Sequence, residues 1–191
     1  MRMVLLSLAA SAAFLPSVAY AQDDQQEEMQ CVYDMLSDED QDVVEMMVLG
    51  SEEESAAAIE EATATLDLAS LTCGVVYEWS DLRREAGLDY AMSRVMFDAA
   101  TLALPASVSS DQLDTMMDSF PDDVRDSFTY TSQEAMNDAA FDVWASDISS
   151  RLSDGGVAQS DWDSAVDYLS AHADLRVSVS VWSGLFENDI E

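Results

Sequence analysis

The sequence predicts an all-α fold: an irregular bundle of about six to eight helices, with its N-terminal helices tied by one disulfide. Three observations lead there. Apolar residues recur at i, i+3, i+4 and i+7 along nearly the whole chain, which is the spacing of one helix face. Serines and threonines stand before several of these stretches with acidic residues three positions on, the pattern of helix N-termini. Only 6 glycines and 3 prolines interrupt 191 residues, which suits helices joined by short turns.

Taken in order, residues 22–28 (QDDQQEE) read as an acidic, flexible leader, and the domain is expected to occupy 29–191. Met29, Val32, Tyr33 and Leu36 share one helix face. Ser37 then caps a helix from Asp38 to Leu49, whose acidic first turn suits the positive end of the helix dipole. Gly50 ends it, and Ser51 to Glu54 has capping-box spacing for an alanine-rich helix to about Leu71. Its buried stripe is expected to be Ile59, Ala62, Leu66, Ala69 and Cys73.

The next helix, about Val76 to Leu104, offers two apolar faces: Trp79, Leu82, Ala86 and Tyr90 on one, Leu88, Met92, Val95, Met96 and Ala99 on the other. Gly87 is expected to interrupt or bend it. Pro105 to Ser110 is a linker, followed by short helices at 111–119 and 122–128 around Pro121. Thr131 and Glu134 form a capping box for a long helix to about Leu152, stopped at Asp154-Gly155-Gly156. Ser160 and Asp163 open the last helix. In residues 176–182, Val177, Val179 and Val181 alternate with serines as a strand would. A lone strand has nothing to pair with, so this stretch is expected to be helical.

The chain's N-terminal end reads as a secretory signal over residues 1–21. Arg2 is followed by an apolar stretch from Val4 to Leu15, and Ala19-Tyr20-Ala21 fits the small-x-small cleavage pattern. The apolar run is shorter than the roughly 20 residues needed to span a bilayer, so no stable membrane insertion is expected after cleavage. The expected location is therefore periplasmic or secreted. In an oxidising compartment an even pair of cysteines is expected to be bridged, which makes Cys31 and Cys73 the one possible disulfide.

Charge constrains partners. The chain has 39 acidic residues against seven arginines and no lysine, and without Arg2 the net charge is −33. Nucleic-acid binding is excluded on this count, because it needs clustered cations and only Arg83-Arg84 are adjacent. The acidity fits either a solvated surface in a saline setting or the attraction of a cationic protein, a cationic peptide or weakly bound divalent cations.

No catalytic, cofactor-binding or metal-binding residues are assigned, and no cofactor is implied. His172 is the lone histidine, which removes two-histidine zinc sites, and it is read as a packed or exposed residue late in a helix. There is no G-x-S-x-G, no phosphate loop, no C-x-x-C and no Glu-x-x-His. Asp38, Asp40 and Asp42 start like a calcium loop, but Val43 and Leu49 stand where glycine and glutamate are required. The methionines, including the pairs Met46-Met47 and Met116-Met117, could supply soft ligands to Cu(I), but core filling is the commoner role and Met92 and Met96 fit it. The expectation is an exported acidic helical protein that binds a cationic partner without catalysing a reaction. The alternatives are a carboxylate-based hydrolase-type enzyme and a divalent-cation-buffering envelope protein.

Overall fold

The computed structural model describes residues 17–49 and 52–188, of which none is in a strand. The helices are α1 (Ser17–Asp34), α2 (Asp38–Leu49), α3 (Glu52–Val76), α4 (Asp81–Leu102), α5 (Ser110–Ser119), α6 (Asp122–Asp126), α7 (Tyr130–Glu134), α8 (Asp138–Asp154) and α9 (Trp162–Asn188), the last preceded by a 3₁₀ turn at Gln159–Asp161. The described residues thus hold nine α-helices where about six to eight were expected. The unexpected one is α7, because the helix expected from Thr131 to about Leu152 divides before Asn137.

Local chemistry accounts for most boundaries. At α2, Ser37 Oγ accepts from the Asp40 amide (3.2 Å) while Asp40 Oδ2 accepts from the Ser37 amide (2.9 Å), a reciprocal capping box. The Ser37 hydroxyl and amide also hold the Asp40 carboxyl below its usual range. The expected break between α3 and α4 lies further along than its sequence position at 72–75. There, Trp79 N–H donates to Gly74 O at 2.9 Å and Glu78 takes φ 56°, a Schellman turn with a glutamate where glycine is usual. Ser80 Oγ then caps α4 by accepting from the Arg83 amide. Trp79 consequently sits in the turn, and Leu82, expected in the core beside it, is exposed.

The long helix expected from Thr131 is two helices. Thr129 Oγ1 accepts from the Ser132 amide to open α7, and Asn137 Oδ1 accepts from the Ala140 amide to open α8. Met136 therefore falls between helices and Ala140 is exposed, while Trp144, Ile148 and Leu152, four residues apart, turn inward. At the far end of α8 the Asp154-Gly155-Gly156 stop forms as expected. Gly156 is at φ 84°, Val157 N–H donates to Leu152 O at 2.9 Å, and both side chains are buried together. Residues 176–182 are helical within α9, where Ser178 Oγ and Ser183 Oγ donate back to the carbonyls of Leu175 and Val179.

The expected leader at 22–28 lies inside α1, so the helix begins upstream of Met29. Glutamate and glutamine are good helix formers, and Glu28 lies 3.4 Å from Trp79 Nε1, which ties this stretch to the α3–α4 turn. Most of the expected signal, residues 1–16, is outside the described residues; Ala19 and Ala21 fall early in α1. Cys31 of α1 is disulfide-bonded to Cys73, within α3, across a sequence separation of 42.

Two cores share a spine. The first is formed by α1 to α4 (Val32, Val44, Ala62, Leu66, Ala69, Cys73, Val95) and is closed by Trp182 of α9. The second is built from α5, α8 and α9 around Leu113, Met117, Phe128, Leu152 and Leu169. The longest packing interface joins α4 to α9, which run through both. At their junction Trp79 and Trp182 meet edge to face, with ring centroids 5.0 Å apart. Gly87, expected as a bend, lies inside continuous α4 beneath these rings: a Cβ there would stand 2.9 Å from Trp79 Cζ3. Its role is close approach.

Candidate functional site

Three features could carry chemistry or recognition: a histidine cluster, a tyrosine–aspartate–arginine cluster, and the outward face of α3. His172, on α9, is half-buried between Phe97 of α4 and Tyr168, with ring centroids at 5.5 and 6.1 Å. Its Nδ1 lies 3.3 Å from Asp114 Oδ1, within ion-pair distance, but the angle is not that of a hydrogen bond. Tyr168 takes that oxygen instead, donating its hydroxyl at 2.8 Å. Burial lowers the His172 pKa, outweighing the opposing pull of Asp114, which favours the neutral ring over an ion pair. Burial, then the Asp114 carboxylate, pushes the Tyr168 phenol far above its usual value.

A shallow groove of about 340 Å³ opens beside the ring, lined by His172, Leu175, Arg176, Val179 and Ser180. Its lining belongs to one helix. Ser180 stands eight residues beyond His172, about 12 Å along the axis at 1.5 Å per residue, too far for the imidazole to activate its hydroxyl. Arg176 is engaged by Asp118 at 2.9 Å. A neighbouring groove between α5, α6 and α9 contains Arg125, which pairs with Asp122 three residues earlier in its own helix. Burial also raises the carboxyls of Asp89, Asp167 and Asp174, but none of the three lines either groove.

The second cluster ties α1 to α4. Tyr33 donates its hydroxyl to Asp98 Oδ2 at 2.6 Å, and Arg94 reaches Asp98 through Nε at 3.0 Å and its terminal nitrogen at 2.9 Å. The Arg94 guanidinium also lies over the Tyr33 ring, 5.7 Å from its centroid. Asp98 thus holds the Tyr33 hydroxyl and two Arg94 nitrogens together, as in a structural clamp.

Among the described residues no three His, Cys, Asp or Glu side chains come together to hold a metal ion. Asp38, Asp40 and Asp42 point around the first turns of α2, and Asp40 is committed to its cap. Met116 and Met117 are buried in the second core, and Met92 and Met96 pack against the first and second core respectively. No helix among the described residues is long and apolar enough to cross a membrane.

The third feature was not singled out in the sequence. Glu61, Ala64, Leu68, Leu71 and Val75 follow one another at i, i+3, i+7, i+10 and i+14 along α3, on the side opposite buried Ala62, Leu66, Ala69 and Cys73. All five are exposed, Leu68, Leu71 and Val75 by 67%, 50% and 80%. Glu60 and Asp67, also exposed, run alongside. The signal was present as a second apolar period in the helix. Ending the helix near Leu71 cut the stripe before Val75. Ile59, expected to be buried, is half-exposed, and Ala58 takes the inward place.

Comparison with protein-family models, with curated proteins and with solved structures found no match to this chain.

Proposed function

We propose that this chain is an exported, non-enzymatic binding protein that captures a cationic protein or peptide, as an accessory or inhibitor of that partner. The observation that carries the reading is charge: 39 acidic residues, seven arginines and no lysine. Arginines 84, 94, 125, 151 and 176 each pair with an aspartate, so they neutralise acids locally and leave the rest of the carboxylate field outward. Such a field raises the rate of encounter with cations and repels nucleic acid and anionic lipid. The signal-like residues 1–21 and the Cys31–Cys73 bridge support periplasmic or extracellular work, since disulfides persist in oxidising compartments.

The test is equilibrium titration of the protein with fluorescent polylysine and with a folded basic protein, across a series of salt concentrations. An unrelated acidic protein of similar charge density serves as the control. Binding tighter than the control, weakening as salt rises, is the expected result. Affinity no greater than the control for either ligand would defeat the reading.

A further inference from the structure

We infer that the outward face of α3 is a docking surface for a cationic amphipathic helix. This rests on the preceding proposal of a cationic partner and adds where the partner binds and what shape it has. The apolar ridge of Leu68, Leu71 and Val75 faces outward, opposite the stripe that α3 buries. It repeats at i, i+3 and i+7, the spacing at which another helix would present its own apolar residues. From Glu61 to Val75 the stripe runs about 21 Å at 1.5 Å per residue, enough for roughly four turns of a partner helix.

Charge selects the occupant. Asp67 stands beside the ridge, and Glu60 and Glu61 lie about two turns before Leu68 on the same side of the helix. At the other end the Arg84 stem packs over Gly74. A ligand helix with leucine-like residues facing the ridge and lysines or arginines on its flank meets both features, its cations toward Glu60 and Glu61. A second copy of this chain would instead bring two net-negative molecules and two rows of carboxylates together, which repulsion disfavours. An anionic lipid surface is disfavoured for the same reason.

The experiment uses the intact oxidised protein and two synthetic peptides of identical Lys/Leu composition, one with the leucines on a single helical face and one scrambled. Binding is followed by anisotropy at low and moderate salt. The amphipathic peptide should bind the unaltered protein at least tenfold more tightly than the scrambled one. The Leu68→Ser/Leu71→Ser/Val75→Ser variant should lose that advantage while its affinity for the scrambled peptide is unchanged. Because these side chains are already exposed, its melting curve should overlay the parent's. A second variant, Glu60→Gln/Glu61→Gln/Asp67→Asn, keeps the ridge and should weaken the amphipathic peptide severalfold at low salt only. If either variant binds the amphipathic peptide as tightly as the parent, this face is not the dock, although the general charge-based proposal stands. If neither peptide binds the parent better than an acidic control protein, the charge-based proposal itself falls. Concentration-dependent dimerisation abolished by the serine variant would reassign the face to self-association.

Discussion

Gly87→Ala should destabilise this protein, although the same change in an open helix position stabilises. In the interior of a helix, replacing glycine by alanine is worth about 1 kcal/mol in favour of the folded state. At Gly87 the new methyl would stand 2.9 Å from Trp79 Cζ3, 3.1 Å from its Cη2 and 3.5 Å from Trp182 Cζ3. Carbon pairs prefer about 3.5–4.0 Å, so an indole must move. Trp79 is 8% exposed and Trp182 2%, and the two rings are packed edge to face against each other. Overpacking a closed site of this kind costs about 1–3 kcal/mol, which cancels or exceeds the helix gain. The net expectation is a loss of about 0–2 kcal/mol. Gly184, in α9, is the internal standard, because among the described residues a Cβ there meets nothing within 4 Å. Gly184→Ala should stabilise by up to about 1 kcal/mol. Urea denaturation followed by tryptophan fluorescence would show the midpoints moving in opposite directions at unchanged slope. Equal stabilisation by both substitutions would mean the tryptophan junction is loose and would refute the packing argument.

Four further outcomes are expected. Reducing the disulfide, or Cys31→Ala/Cys73→Ala, frees a 42-residue separation; chain entropy puts this at about 4 kcal/mol, so the melting temperature should fall by on the order of 10 °C, and an unchanged melt would show the bond contributes nothing. Ser70 is buried in α3 with no hydrogen-bond partner for its hydroxyl among the described residues; Ser70→Ala should stabilise by about 1 kcal/mol in calorimetry, and a destabilised variant would contradict that. Burial holds the His172 pKa below its unfolded value of about 6.5, so the unfolded chain takes up the extra proton and stability is lost as pH falls through about 6.5. His172→Gln should flatten that segment of the stability curve, and a parallel curve would rule the histidine out as its source. Finally, adding sodium chloride toward about 1 M, where the screening length is about 3 Å, should raise the melting temperature by relieving carboxylate repulsion; a fall would show that ion pairs dominate instead.

The helices were legible because their signals are local. Ser37 with Asp40 and the double glycine at 155–156 act within a turn of where they stand, and α2 and the end of α8 match their expected positions. The disulfide followed from having only two cysteines. Where two local signals competed, sequence alone chose wrongly. Thr131 with Glu134 has capping-box spacing, but Thr129 and Asn137 hold the caps, and Phe128 and Trp144, on either side of α7, meet edge to face in the second core. The 176–182 stretch shows the opposite case: its period-two pattern yields to the helix because Trp182 must reach Trp79 and no described strand offers pairing.

The candidate site was far less legible, and α3 shows why. Its apolar residues cover two sides, and the spacing marked the stripe of Ala62, Leu66, Ala69 and Cys73 without showing that Leu68, Leu71 and Val75 would stay outside. The neighbours decide: α1, α2 and α4 close on Ala62, Leu66, Ala69 and Cys73, leaving Leu68, Leu71 and Val75 outside. By itself, then, the sequence determined helicity, the single possible disulfide and an overwhelmingly acidic chain, because backbone propensity, pairing arithmetic and formal charge need no neighbour. Only the tertiary structure decided that Leu68, Leu71 and Val75 meet solvent, why Gly87 must lack a side chain, and that burial lowers the His172 pKa beside Asp114. Exposure, close approach and desolvation are set by atoms distant in the chain, and they exist only once α3, α4 and α9 have packed.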